Sequence, residues 1–251
     1  MSYTDYTDWT RGREQMLYAI TDRRLYAEDE VNACSRLVEL AAVWAMAGVE
    51  FIQLREKDLS ARDQVELARA MLRGMRSVSE DQPGGAAGRS SRAPRLLING
   101  RADVALAAGA DGVHLPTGSG VLTPEEVRAI FAGTGRSQSP VISVSCHTLG
   151  EIEAARSQSP DCILFAPVFE KIIRENEINS GARQNPESVQ KLSGTGLALL
   201  EQACRGAAPV PVFALGGVTA DNAADCLRAG AAGVAAIRLM QQPASAWQHL
   251  A

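Results

Sequence analysis

Two short stretches carry side chains able to do chemistry. Residues 53–57 read QLREK, with Gln53, Arg55 and Lys57 at alternate positions, and residues 143–148 read SVSCHT, with the thiol of Cys146 beside the imidazole of His147. In an extended segment successive side chains point to opposite sides, so Gln53, Arg55 and Lys57 converge. One amide and two cations suit a phosphate or diphosphate, because Arg grips oxyanions bidentately and Lys adds a point charge. The same triplet also fits a strand end dissolving into solvated charge, with Glu56 and Asp58 neutralising the cations. The alternation that gathers the triplet separates Cys146 from His147, so they form no thiol–imidazole pair. No other cluster of His or Cys supplies ligands beside His147, and no metal site is expected there. His147 is left as a proton carrier, a role suited to a residue type that titrates near neutrality, or as a polar group that orients substrate.

A third stretch, ALGGVTADN, sets Gly216 and Gly217 ahead of a helix predicted to start near Ala220. Bare backbone N–H groups there, with the positive end of the helix, suit a phosphate; a tight turn needs the same two glycines. Arg238, after the last apolar run, either reinforces that site or covers a helix from outside.

These segments all follow short runs apolar at nearly every position: MLYAI, VEFIQL, RLLI, DGVHL, PVISV, DCILF, VPVFAL and GVAAI. Such runs fit parallel strands buried on both faces. Eight of them, each followed by a helical pattern, predict an α/β fold, a single (β/α)8 TIM barrel over residues 1–251, with chemistry at the C-terminal strand ends. A weak repeat, AMAGVEFIQL, LAAGADGVHL and LRAGAAGVAAI, places glycines 48, 109 and 230 where helices stop and strands begin. Residues 1–15 read as an N-terminal extension, and Glu80 to Pro94 as a flexible insertion on the opposite face from the chemistry.

Composition narrows the function classes. With 251 residues, 46% of them hydrophobic, the chain can bury one large core. Its net charge of −4 gives no general attraction to nucleic acid or anionic lipid. Five scattered cysteines without a C-x-x-C pair argue against a disulfide framework and suit a reducing cytoplasm. The N-terminus lacks an apolar signal core and no apolar stretch is long enough to span a bilayer, so neither a membrane nor a nucleic acid is expected as partner.

LYAITDRR, FIQLREKDLS, LLINGRADVALAAGADGVHL, ISVSCHTLGEIEAA, DCILFAPVF and VPVFALGGVTADNAADCLRAGAAGVAAI, in that order from Leu17 to about Met240, resemble the family containing thiamine phosphate synthase and the thiazole tautomerase TenI. The resemblance implies a barrel binding a thiazole ethyl phosphate, often as a homodimer. In the synthase branch an aminopyrimidine methyl diphosphate is joined to that thiazole with release of diphosphate, aided by magnesium. The matching positions are Gln53, Arg55 and Lys57 for the pyrimidine diphosphate, Asn99 after strand three, Ser145 after strand five, and Gly216 and Gly217 for the thiazole phosphate. In the tautomerase branch, which takes no cofactor, a histidine at the position of His147 moves a proton on a carboxythiazole phosphate.

Three departures stand out. The usual Asn-Asp of strand three is Asn99-Gly100; the usual Gly-Gln-x-Asp after strand four is PTGS, with Ser119 in place of the second carboxylate; and the phosphate loop after strand six has become FEKIIRENEINSG, leaving Lys171 as its cation. Magnesium favours hard oxygen ligands, usually one or two carboxylates. Losing both tilts the sequence reading slightly toward a metal-independent tautomerase with His147 as acid and base. The alternative is the synthase, and a catalytically silent phosphate-binding barrel is a third reading.

Overall fold

The computed structural model describes residues 15–26, 29–80, 94–174 and 189–250. In chain order the elements are β1 (Met16–Ile20), α1 (Glu30–Ala47), β2 (Phe51–Leu54), α2 (Ala61–Glu80), β3 (Arg95–Asn99), α3 (Ala102–Ala108), β4 (Gly112–Leu115), α4 (Pro124–Ala132), β5 (Val141–Cys146), α5 (Leu149–Ser157), β6 (Cys162–Phe165), β7 (Lys171–Arg174), β8 (Val189–Leu192), α6 (Leu197–Ala207), β9 (Val212–Ala214), α7 (Ala223–Arg228) and β10 (Gly233–Ala236). Eight strands close in the order β1-β2-β3-β4-β5-β6-β9-β10, every pair parallel, and they are the eight apolar runs of the sequence.

Two features differ from expectation. The segment after β6 forms an antiparallel pair, β7 with β8, between the sixth strand of the barrel and its helix. The last barrel strand is followed by 3-10 turns at Ala244–Ala246 and Gln248–Leu250 rather than an α-helix. Residues 1–14 of the expected extension and 81–93 of the expected insertion lie outside the described residues.

Local chemistry explains the helix starts. Thr123 and Thr148 each accept from the backbone N–H three residues on, while Glu126 and Glu151 return the bond to the cap residue, closing two capping boxes. Acids at the opposite end of the barrel are used up structurally. Glu50, Asp111 and Asp161, each just before a strand, accept the N–H of Leu17, Leu96 and Ile142 in a neighbouring strand.

The strand pleat divides the core in two. One set of alternate residues packs outward under the helices around Leu17, Ile52, Ile98, Val113, Ile142, Ile163 and Val212. The other points into the barrel, where Met16, Tyr18, Phe51, Leu97, Val141, Cys162, Leu164 and Phe213 form an apolar floor. Tyr18, Phe51 and Phe213 meet with ring centroids 5.5–5.7 Å apart, each such pair contributing about 0.5–1.5 kcal/mol beyond burial. Continuing the same alternation upward brings Gln53, Asn99, His114, Ser143 and Ser145 to the mouth on the β2–β5 side.

Candidate active site

At the end of β2 the fate of the charges is decided by the neighbouring loop. Arg23, after β1, donates to Glu56 (3.1 Å) and to both oxygens of Asp58 (2.7 and 2.9 Å). The Arg23 backbone N–H also reaches Glu56. The acids that would neutralise the QLREK cations are thereby spent on Arg23. Among the described residues neither the Arg55 guanidinium nor the Lys57 ammonium has an ion-pair partner. Arg55 is held by its backbone N–H, which donates to Thr21 Oγ1 at 2.9 Å. Partial burial, then the Arg55 charge, then Arg24, lowers the Lys57 pKa from the ordinary lysine range. Two neighbouring cations without a counter-charge among the described residues suit an anion.

Beneath them Gln53 is buried, its Nε2 donating to Asn99 Oδ1 at 3.0 Å. Its Oε1 is buried without a hydrogen-bond partner. An unsatisfied buried acceptor costs about 1–3 kcal/mol, which a ligand N–H would recover.

Cys146 and His147 diverge as their adjacency predicts. Cys146 packs in the outer core, where burial pushes its thiol pKa up to about 12, so it offers no thiolate. His147 stands at the mouth with Nδ1 2.6 Å from the Ala166 carbonyl and Nε2 2.9 Å from Thr117 Oγ1. A carbonyl only accepts, so Nδ1 carries the proton, and in the neutral ring Nε2 accepts from Thr117. The imidazole is therefore fixed from two sides.

Across the mouth, Gly216 and Gly217 have φ of +92° and +66°, and a Cβ on either would lie 2.6–2.8 Å from atoms of Pro167, Phe169 or Glu170. Only glycine lets the loops after β6 and β9 approach so closely. Among the described residues neither glycine N–H donates to a protein acceptor. Asn222 shapes this turn, its Nδ2 donating to the Gly217 carbonyl (3.0 Å) and its Oδ1 accepting from the Thr219 N–H (2.8 Å). The helix expected near Ala220 starts at Ala223 and is one of the shortest in the barrel, so its dipole adds less than the sequence suggested. Arg238 lies exposed just past β10. Lys171 begins β7, and its side chain lies outside the described residues.

Comparison with known proteins spans the whole barrel. The profile of the thiamine monophosphate synthase family matches residues 17–240. The chain belongs to that family. It is 40% identical over 88% of its length to a protein of Geobacter sulfurreducens named "Putative thiamine-phosphate synthase", covering 84% of that chain. It is 32% identical, over 88% of its length and 85% of the relative's, to the "Thiamine-phosphate synthase" of Methanoculleus marisnigri. Among solved structures, a thiamine phosphate pyrophosphorylase from Pyrococcus furiosus shares the fold at a TM-score of 0.64 and 24% identity, with 94% of this chain and 92% of that one covered. The protein is thus a thiamine-phosphate-synthase-family enzyme built as a TIM barrel. No helix of the described residues is long and apolar enough to cross a membrane.

At the two strand ends where the resemblance leads magnesium carboxylates to be expected stand Gly100 and the exposed Ser119, a donor set poor in the hard anionic oxygens magnesium favours. Among the described residues no three His, Cys, Asp or Glu side chains gather to hold a metal ion.

Sequence reasoning missed Tyr18, Ser143 and His114 as part of the site. His114 is 3% exposed, with Nδ1 2.8 Å from Ser143 Oγ and Nε2 2.9 Å from Ser145 Oγ. Burial, and secondarily the Arg55 and Lys57 charges, hold its pKa down at about 3. In the unfolded chain the ring takes up a proton near pH 6.5 while the native ring does not, so its contribution is present above that pH and declines as pH falls toward 3. From pH 7 to 5.5 this group alone should remove about 1 kcal/mol. Urea unfolding of the wild type and of His114→Gln at both pH values checks it: the wild type should lose about that much more than the variant.

Proposed function

We propose that the enzyme joins an aminopyrimidine methyl diphosphate to a thiazole ethyl phosphate, releasing diphosphate. The observation that carries this is the orphaned Gln53 Oε1 on the strand end that continues into Arg55 and Lys57. An aminopyrimidine brings an exocyclic N–H donor for that acceptor and a diphosphate for the two cations, in the order in which β2 and the loop after it present them. A thiazole phosphate has no N–H to offer. The names of the relatives support the same reading.

In this account the C–O bond between the pyrimidine methylene and diphosphate breaks, and the leaving group departs with the electron pair. The thiazole nitrogen supplies its lone pair to the methylene, forming the C–N bond. Negative charge grows on the leaving oxygen, and a preorganised cation there favours the transition state over the ground state. Arg55 and Lys57 supply that charge, while Gly216 and Gly217 anchor the thiazole phosphate with Arg238 just past β10. In this reading the two side chains carry the leaving-group charge, and no step is assigned to magnesium.

Affinity for the aminopyrimidine diphosphate, compared by titration calorimetry with its analogue lacking the ring amino group, tests the reading. Loss of the amine should weaken binding by about ten- to a hundredfold, one buried hydrogen bond left unmade. Equal affinities would remove Gln53 as the reader of the pyrimidine.

A second reading, the metal-independent tautomerase, is favoured by the placement of His147 together with Gly100 and Ser119. It requires proton exchange on a carboxythiazole phosphate in the absence of any pyrimidine, with Nε2 of His147 as the base.

A further inference from the structure

Four polar side chains run in line from the aromatic floor to the mouth. Tyr18 Oη is 3.0 Å from Ser143 Oγ, Ser143 Oγ is 2.8 Å from His114 Nδ1, and His114 Nε2 is 2.9 Å from Ser145 Oγ. Tyr18 and Ser143 are fully buried; Ser145, at the upper end, is partly exposed.

Counting protons orders this chain. Every group in it both donates and accepts, so distance alone leaves two directions open. The phenol at the bottom removes one of them. Among the described residues Ser143 is the only hydrogen-bond partner of Tyr18 Oη, and a buried O–H with no acceptor is costly. The phenol therefore donates to Ser143. The hydroxyl of Ser143 then points its single proton at His114 Nδ1, which must be bare to accept it. The ring's own proton sits on Nε2 and is donated to Ser145. The Ser145 proton is left with no acceptor in the chain, and it faces the mouth. The reverse direction would strand the phenol proton in the aromatic floor.

We propose that Tyr18 and Ser143 lock His114 in its Nε2–H tautomer, making His114 a positioning residue that presents Ser145 to the substrate as a hydrogen-bond donor. Such a donor suits an anionic oxygen, and with Arg55 and Lys57 on the same side of the mouth that oxygen belongs to a phosphate or diphosphate. The identification of the acceptor rests on the synthase reading; the tautomer does not. The ring stays neutral across the working pH range because burial, aided by the Arg55 and Lys57 charges, depresses its pKa. The relay is therefore a fixed orientation device and His114 carries no net proton between solvent and substrate.

The test is a long-range proton–nitrogen correlation spectrum of protein labelled with ¹⁵N-histidine at pH 7, with the His114 signals assigned by their absence from His114→Gln. The expected pattern is a protonated Nε2 and a bare Nδ1 in the wild type. A wild-type ring protonated on Nδ1, or on both nitrogens, would overturn the proposal, and this readout requires neither turnover nor a folded Tyr18→Phe variant. In Tyr18→Phe, checked for native circular dichroism, the lock is released, the two tautomers mix, and Ser145 turns its proton toward His114 part of the time. Affinity for inorganic diphosphate should then fall by up to about tenfold. An unchanged tautomer together with unchanged diphosphate affinity in that variant would show that Tyr18 sets nothing. If the locked tautomer is found in a protein that never joins the two substrates, the synthase reading fails and the relay stands.

Discussion

Replacing Arg55 by alanine is expected to slow diphosphate release by about 10²–10³-fold, the usual effect of removing one preorganised donor from a developing oxyanion, with little change in stability. The two halves of this expectation come from the same geometry. Arg23 has taken Glu56 and Asp58, so among the described residues Arg55 contributes no ion pair to the fold. Its guanidinium is instead held beside a second cation, Lys57, and removing it relieves repulsion. Surface changes away from such features usually stay within about 0.5 kcal/mol. In the proposed reaction the two side chains share the leaving-group charge. Arg55→Lys should recover only part of the rate, since a point charge lacks the bidentate fork. Stopped-flow detection of diphosphate, with urea unfolding of the same variants, separates the two halves. A variant that lost stability in step with activity would mean that Arg55 holds the loop rather than the leaving group.

Gly217→Ala is expected to act in the opposite manner, on fold and ligand together. Its φ of +66° and the 2.6 Å between an added Cβ and the Glu170 carbonyl oxygen leave no room for the methyl. Left-handed strain costs about 1–2 kcal/mol, and overpacking against backbone about 1–3 kcal/mol more. A destabilisation of about 2–5 kcal/mol should appear in urea unfolding. The turn pinned by Asn222 must shift, so affinity for thiazole ethyl phosphate should fall at least about tenfold, consistent with the loss of one or more charge-assisted hydrogen bonds. An alanine variant that bound the thiazole phosphate normally would move the phosphate away from this turn.

Much of the barrel was legible because one local rule, apolar runs separated by helical patterns, repeats along the chain. The same period of two predicted the convergence of Gln53, Arg55 and Lys57 and the divergence of Cys146 from His147. It also places His114 inside, two residues beyond Gly112, a signal available in DGVHL and left unused. What escaped depended on distance in sequence. Arg23 meets Glu56 across 33 residues, so the sequence cannot tell which cation the acids neutralise. The pairing of β7 with β8 joins ends separated by residues 175–188, in a polar stretch with no alternating pattern to mark strands. Tyr18 and Ser143 meet over 125 residues and look from sequence like ordinary strand interior. The resemblance named the family correctly. Its branch turned on missing carboxylates, whereas an unpaired amide oxygen, visible only in three dimensions, tilts the account toward the synthase.

The measurement that bears most directly on this account is single-turnover formation of the joined pyrimidine–thiazole phosphate, with diphosphate quantified alongside. It is run with excess protein over aminopyrimidine methyl diphosphate and with saturating thiazole ethyl phosphate. The account predicts one equivalent each of coupled product and diphosphate. Protein that binds both substrates yet forms neither would contradict it.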